Sequence, residues 1–192
     1  MTTIEKVEAY LLITVDEDFR DEVQGFIDSV TAYIEKYTGR TFTPITEETE
    51  ATEKIYDGSN SGELFIDDAV EIESIVVDGE ELEETDYKLY PANGLPKTRI
   101  IMPYRIFRED AQNVVVNAKW GYGEAVPADL EFAATLLVAD MINASNTTGA
   151  GDVVSESIGR YSVTYSTGSN SSEKSSEALK AHKILNLYRR MT

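Results

Sequence analysis

The hydrophobic period of this chain changes twice, and that switch constrains the fold more than any other feature. Phe19, Val23, Phe26, Ile27, Val30, Ile34 and Tyr37 recur at helical spacing, the pattern of a helix that buries one stripe. From Thr41 to Gly123 the period becomes that of strands. Short runs rich in β-branched and aromatic residues appear: EKIY, ELFI, VEIESIVV, DYKLY, RIIM and NVVVNAKW. Asp57-Gly58, Asp78-Gly79, Asn93-Gly94 and Gly121 with Gly123 separate them as turns. VEIESIVV alternates as a half-buried strand does. The region predicts a small antiparallel sheet of about five or six strands. Helical spacing then returns in VPADLEFAATLLVADMINA. Pro127 suits the first turn of a helix. Leu130, Ala133, Ala134, Leu137 and Met141 form one face, widened by Phe132, Leu136 and Ile142. A helix apolar nearly all round is a central one.

Local signals refine these elements. Thr14 with Glu17 forms a capping box, and Asp16 and Asp18 place negative charge at the positive end of the helix dipole. Gly39 is placed to end that helix in a left-handed cap. Ile4 to Leu12 fits a short helix or a strand. NASNTTGAGD (143–152) breaks the central helix. SESIGRYSVTY (155–165) follows, then STGSNSSEKSS, a linker over 166–176 that is flexible by composition. The last helix is predicted over 174–190. Ala178, Ala181, Ile184, Leu185 and Tyr188 make its stripe, widened by Leu187 and Met191, and its bases cluster late, where the dipole favours them. Such a helix docks on its own domain or on a neighbour.

The fold class is therefore α+β: a helical core of three main helices, an inserted antiparallel β-sheet, and a short β-hairpin before the C-terminal helix. The helical core is expected at 1–43 and 122–192, and the inserted acidic β region at 44–121.

Charge bounds the partners. The 192 residues carry 35 acids and 17 bases, a net charge of −18. Such a chain repels DNA at long range. Between Glu47 and Asp86 there are sixteen acids and one base, Lys54; from Glu173 to Thr192 there are five bases and two acids. These two ends of the asymmetry face different surroundings. There are no cysteines, which excludes disulfides, thiolate metal sites and a cysteine nucleophile. MTTIEKVEAYLL has acids where a signal peptide has a basic region. Leu130 to Ile142 is too short for a membrane span and contains Asp140. These features predict a soluble protein made in the cytoplasm, with no membrane partner.

Catalytic and metal chemistry were sought motif by motif. DGSNSGELFIDD (57–68) resembles an EF-hand loop, with Asp57, Ser59 and Ser61 at early ligand positions, Gly62 at the sharp turn, Leu64 at the apolar position and Asp68 last. Its strand-like flanks and its final Asp favour an acidic hairpin loop. Asp67-Asp68 and Glu80-Glu81 could hold two metals in a nuclease, or be solvated charge in an acidic chain. His182 is the single histidine, so a serine triad or a zinc site lacks its parts. It fits a packing or interface residue. Trp120, in KWGYG, either stacks on a ligand or covers the edge of the core. The chain has no GxxxxGK[ST] and no GxGxxG. No catalytic residue, metal ligand or cofactor is assigned, and an enzyme is not expected.

Four pieces in order carry a resemblance: KYTGRTF (36–42), WGYGEAVPADLEFAATLLVADMI (120–142), SESIGRYSVTY (155–165) and ALKAHKILNLYRR (178–190). Together they resemble the head–tail connector, or adaptor, proteins of long-tailed bacteriophages and prophages. Compact members join the first helix to the second more directly; here about eighty residues of acidic β structure intervene, as in longer members. Arg160 also departs from the acid or other polar residue common at its place. The resemblance implies a structural virion protein that assembles as a ring on the portal, usually dodecameric, after DNA packaging. That ring would extend the DNA channel toward the stopper or tail-completion protein. DNA would pass without specific binding. Assembly in the host bacterial cytoplasm and residence in the virion neck follow.

The expected portal or partner interface is Leu179, His182, Ile184, Leu185, Leu187, Tyr188, Arg189 and Arg190. The expected inter-subunit contact is the segment around the Gly159 turn: Ser155, Ser157, Ile158, Gly159, Tyr161, Val163 and Tyr165. That hairpin packs on its own subunit or pairs with a neighbour through an open edge. The alternative function is a ligand- or calcium-binding β module on a helical base.

Overall fold

A computed structural model describes residues 1–147, 155–158, 161–164 and 176–190. The chain divides into two compact units, Met1–Thr38 with Pro127–Thr192, and Gly39–Val126.

The first unit is helical: α1 (Ile4–Leu11), α2 (Glu17–Thr38), α3 (Ala128–Thr147) and α4 (Ser176–Tyr188), with a two-stranded hairpin of β7 (Ser155–Ile158) and β8 (Tyr161–Thr164). The ambiguous segment at Ile4 is helical, with Ile4 and Val7 buried. In α2, Val23, Ile27, Val30 and Ile34 are buried at helical spacing. Its cap is Asp16 rather than Thr14: the Phe19 N–H donates to Asp16 Oδ1 at 2.9 Å. The carboxylate directly before the helix satisfies an orphan donor and meets the dipole at once. α3 packs against α1, α2 and α4. Leu130 and every residue from Ala133 to Ala139 are buried, as is Ile142. Thr2 and Thr135 pair their hydroxyls at 2.8 Å inside this core, so neither is left unsatisfied. α4 is described over Ser176–Tyr188, ending two residues before the 190 expected; 174–175 lie outside the described residues. Most of the serine-rich linker lies outside the described residues. Among those described, no helix is long and apolar enough to cross a membrane.

The second unit is a six-stranded antiparallel sheet: β1 (Thr52–Gly58), β2 (Glu63–Val77), β3 (Glu80–Glu81), β4 (Lys88–Tyr90), β5 (Lys97–Ile101) and β6 (Asp110–Trp120). The order is β1-β6-β2-β5-β4, with β3 on β2. ELFI and VEIESIVV are not two strands but one strand of fifteen residues. Its first half pairs with β5 and its second with β6. Asp67 and Asp68 sit between these halves without breaking the strand, because each has a cation. Lys54 Nζ lies 2.8 Å from Asp67 Oδ2, and Arg40 lies 2.6 Å from the buried Asp68. Irregularities at Ala69/Glu71 and Ile72/Ser74 let the strand bend. Leu64, Ile66, Ile75, Val77, Ile100, Phe107, Val114 and Val116 build one core. Fully burying such a side chain contributes about 1.5–3 kcal/mol.

Asp78-Gly79 is a two-residue hairpin turn, with φ of 53° and 81°, as the primed type requires. Asp57-Gly58 is instead the end of β1. Gly58 is there because the chain passes close: a Cβ would stand 1.7 Å from the Arg108 carbonyl oxygen. Gly58→Ala is expected to destabilise the protein by about 2–3 kcal/mol through overpacking. A urea midpoint within error of wild type would contradict this.

Candidate assembly surface

α4 has two faces. Ala178, Ala181 and Leu185 are buried, seated against α3 and α2. Leu179 and Leu187 are 50% and 78% exposed, with Lys183 between them at the same four-residue spacing. The sequence placed Leu185 and Leu187 together as interface candidates; the structure separates them. Leu185, 0% exposed, belongs to the core of its own unit. Leu187 faces out. Ile184 and Tyr188 are half-buried.

His182 is a packing residue within its unit. Its Nδ1 lies 2.7 Å from the Ala178 carbonyl, which only accepts, so Nδ1 carries the proton. In the neutral ring, Nε2 then accepts from the Tyr33 hydroxyl at 2.8 Å. Burial pushes the Tyr33 phenol above its ordinary range, and Tyr37 adds to the shift, which keeps Tyr33 a donor. Tyr37 stacks on Tyr33 and meets the His182 ring edge-on. Its hydroxyl donates to Asn186 Oδ1 at 2.7 Å. Arg189 lies over the Tyr37 ring at 5.6 Å. Tyr188 donates to Asp129 Oδ1 at 2.6 Å, and the Arg190 N–H donates to the Thr38 carbonyl at 2.9 Å. Sequence reasoning missed the roles of Tyr33 and Asn186. Their signal was present: Tyr33 and Tyr37, and His182 and Asn186, are both four-residue pairs.

The second expected contact is a hairpin. Its register pairs Ser155 with Thr164, Glu156 with Val163, Ser157 with Ser162 and Ile158 with Tyr161. Gly159 and Tyr165 lie outside the described residues.

The remaining candidates lie in the sheet unit. Asp57 Oδ1 accepts the Gln112 N–H at 2.7 Å, Asp68 pairs with Arg40, and Leu64 is in the core. The residues of the loop that resembles an EF-hand are thus engaged in strand structure. Among the described residues no group of three or more His, Asp or Glu is placed to hold a metal ion. Glu80 pairs with Arg105 at 3.0 Å. Trp120 donates its Nε1–H to the Thr52 carbonyl at 2.7 Å, and Lys54 lies over its ring, so it joins strand ends. An open cleft of about 270 Å³ is lined by Ile45, Thr46, Glu47, Val70, Glu71, Lys119 and Glu124. The hydrogen bond to Glu71 raises the Lys119 ammonium above its ordinary range, which holds it as a charge.

Chains in the necks of gene transfer agent (GTA) particles share the fold. One, from the neck of an empty particle computed with C6 symmetry, aligns at a TM-score of 0.53 and 11% identity, covering 90% of this chain and 80% of that one. Another, from the neck of a native particle computed with C12 symmetry, aligns at 0.52 and 12% identity, covering 91% and 87%. No curated protein matches significantly. The sequence profile of the head completion protein family matches residues 1–191. The chain belongs to that family, in keeping with the head–tail connector resemblance.

Because the two faces of α4 do different work, Leu185→Ala is expected to cost about 3 kcal/mol of stability. Leu187→Ala should change it by less than about 0.5 kcal/mol. Thermal unfolding of both variants checks this; equal losses would show that α4 is not seated as described.

Proposed function

We propose that this head completion protein is a structural component of a phage-like neck. It assembles as a ring on the portal after DNA packaging and extends the DNA channel toward the stopper or tail. The match of the head completion family over 1–191 carries this reading. The fold shared with GTA neck chains, one of them computed with C12 symmetry, supports a ring. The net charge of −18 supports a conduit, since negative walls let DNA pass without adhering. Assembly takes place in the host cytoplasm, and the product stays in the virion neck.

On this reading the outward residues of α4, with Arg189 and Arg190, form an assembly contact. Arginines suit charged interface partners. The β7–β8 hairpin offers a strand edge to a neighbouring copy. A second copy, the portal and a stopper or tail-completion protein are the partners.

Light-scattering mass of the full chain, alone and mixed with the portal ring from the same genome, tests the proposal. Several copies per portal ring are expected. Absence of any complex at low and at physiological salt would overturn it.

A further inference from the structure

We infer that the outward face of α4 docks on the acidic outward face of α2 in a second copy of this chain, as a head-to-tail contact repeated around the ring. The inference rests on the ring reading above and names the partner of that surface.

The first observation is an unpartnered face. Leu179 and Leu187 are exposed on α4, and Lys180 and Lys183 beside them are exposed too. Among the described residues neither lysine has an ion-pair partner. Residues 176–190 hold four bases and one acid, in a chain of 35 acids and 17 bases. Two copies of such a chain repel unless a basic element meets an acidic one. Charge excludes α4 against α4, lysine against lysine, and calls for an acidic element opposite it. On the ring reading the contact is heterologous, the kind that generates a ring when its rotation closes.

The second observation selects the acidic element. α2 carries six acids and two bases. Asp18, Asp21, Glu22 and Asp28 are exposed, opposite its buried stripe. None of these has a cation partner among the described residues. Several acids of the sheet unit are already engaged: Glu63, Asp67, Asp68, Glu71 and Glu80 each pair with a base. In the middle of the same α2 face stands Gly25. Glycine in a helix interior is unfavourable relative to alanine. Nothing among the described residues explains it sterically, since a Cβ there would meet no atom within 4 Å. Close approach of a second helix does. An exposed leucine of α4 then seats over Gly25, with the α4 lysines reaching the flanking carboxylates.

The cysteine-free chain makes a clean test. Full-length Gly25→Cys and Leu187→Cys proteins are mixed with a short bis-maleimide, with and without the portal ring. Cross-linked heterodimers are expected above the level of a Glu83→Cys control, and the double variant should give a ladder. Half-molar salt should suppress both. Gly25→Leu should unfold at the wild-type temperature or higher, yet lose self-association at least tenfold. The inference is overturned if Leu187→Cys links to the portal or to the sheet unit of a second copy. It is equally overturned if no link exceeds the control, or if Gly25→Leu associates normally. Portal binding by the wild type in the same assay separates its fate from that of the ring reading. Binding without the Gly25–Leu187 link removes only the contact named here; the link without binding removes only the portal.

Discussion

A helix buried around most of its circumference has to be covered on every side, and α3 is such a helix. Its run from Ala133 to Ala139 exposes no residue to solvent, and it lacks the one-sided stripe of a surface helix. The chain supplies the cover from three places: α1, α2 and α4 all pack on it. Seven of the nine residues from Leu130 to Val138 are apolar, so the drive to recruit these partners is hydrophobic and non-directional. Direction comes from the polar bonds at the margins. Lys6 pairs with Glu131 at 2.5 Å, and Tyr188 with Asp129. Each of these ties an outer helix to the start of α3.

The sheet unit solves a different problem, that of placing many acids in strands. Asp and Glu are poor strand formers because they neither pack nor tolerate one another across a pleat. Here the cations are spent where the acids are least avoidable. Arg40 is used on Asp68, the one buried carboxylate of the described residues. Removing Arg40 would leave a buried carboxylate without its cation, which costs about 3–5 kcal/mol. Lys54 and Tyr56 both reach Asp67, and Lys119 reaches Glu71 across a ladder pair. Arg99 and Arg105 take Glu63 and Glu80, and most of the other acids of this unit are exposed, where repulsion is screened. A strand carrying an acid pair can then run unbroken for fifteen residues.

The outline of the fold was legible because period is a property of one segment at a time. The stripe of α2, the all-round apolarity of α3 and the alternation of VEIESIVV each needed only their own residues. The misreadings share a cause: they depend on a partner far along the chain. Asp67-Asp68 reads as a pair of metal ligands or as solvated charge until Lys54 and Arg40 are brought beside it. Gly58 looked like a turn residue until the Arg108 carbonyl came within reach. Thr14 matched a capping box, but Asp16 stood nearer the first helical turn. Which leucine of α4 is inside depends on a distant partner in the same way. Leu185 and Leu187 are two residues apart and about 200° around a helix, yet only the position of α3 says which one is inside.

That division of α4 bears on how one helix can hold a unit together and still present a surface. Its inner face is small and apolar, with two alanines and a leucine, and it lets α4 lie close to α3. Fixing α4 in rotation falls to the ring of Tyr33, Tyr37, His182 and Asn186, which sits at the α2 side and is partly in water. Hydrogen bonds to exposed groups contribute modestly, about 0.5–1.5 kcal/mol each. They are directional, however, and packing of alanines is not. A rotation of α4 by one residue would move Leu187 inward and break both the Tyr33–His182 and Tyr37–Asn186 bonds. The aromatic cluster therefore sets which residues face out. On the proposed reading, it determines the assembly surface without touching a partner.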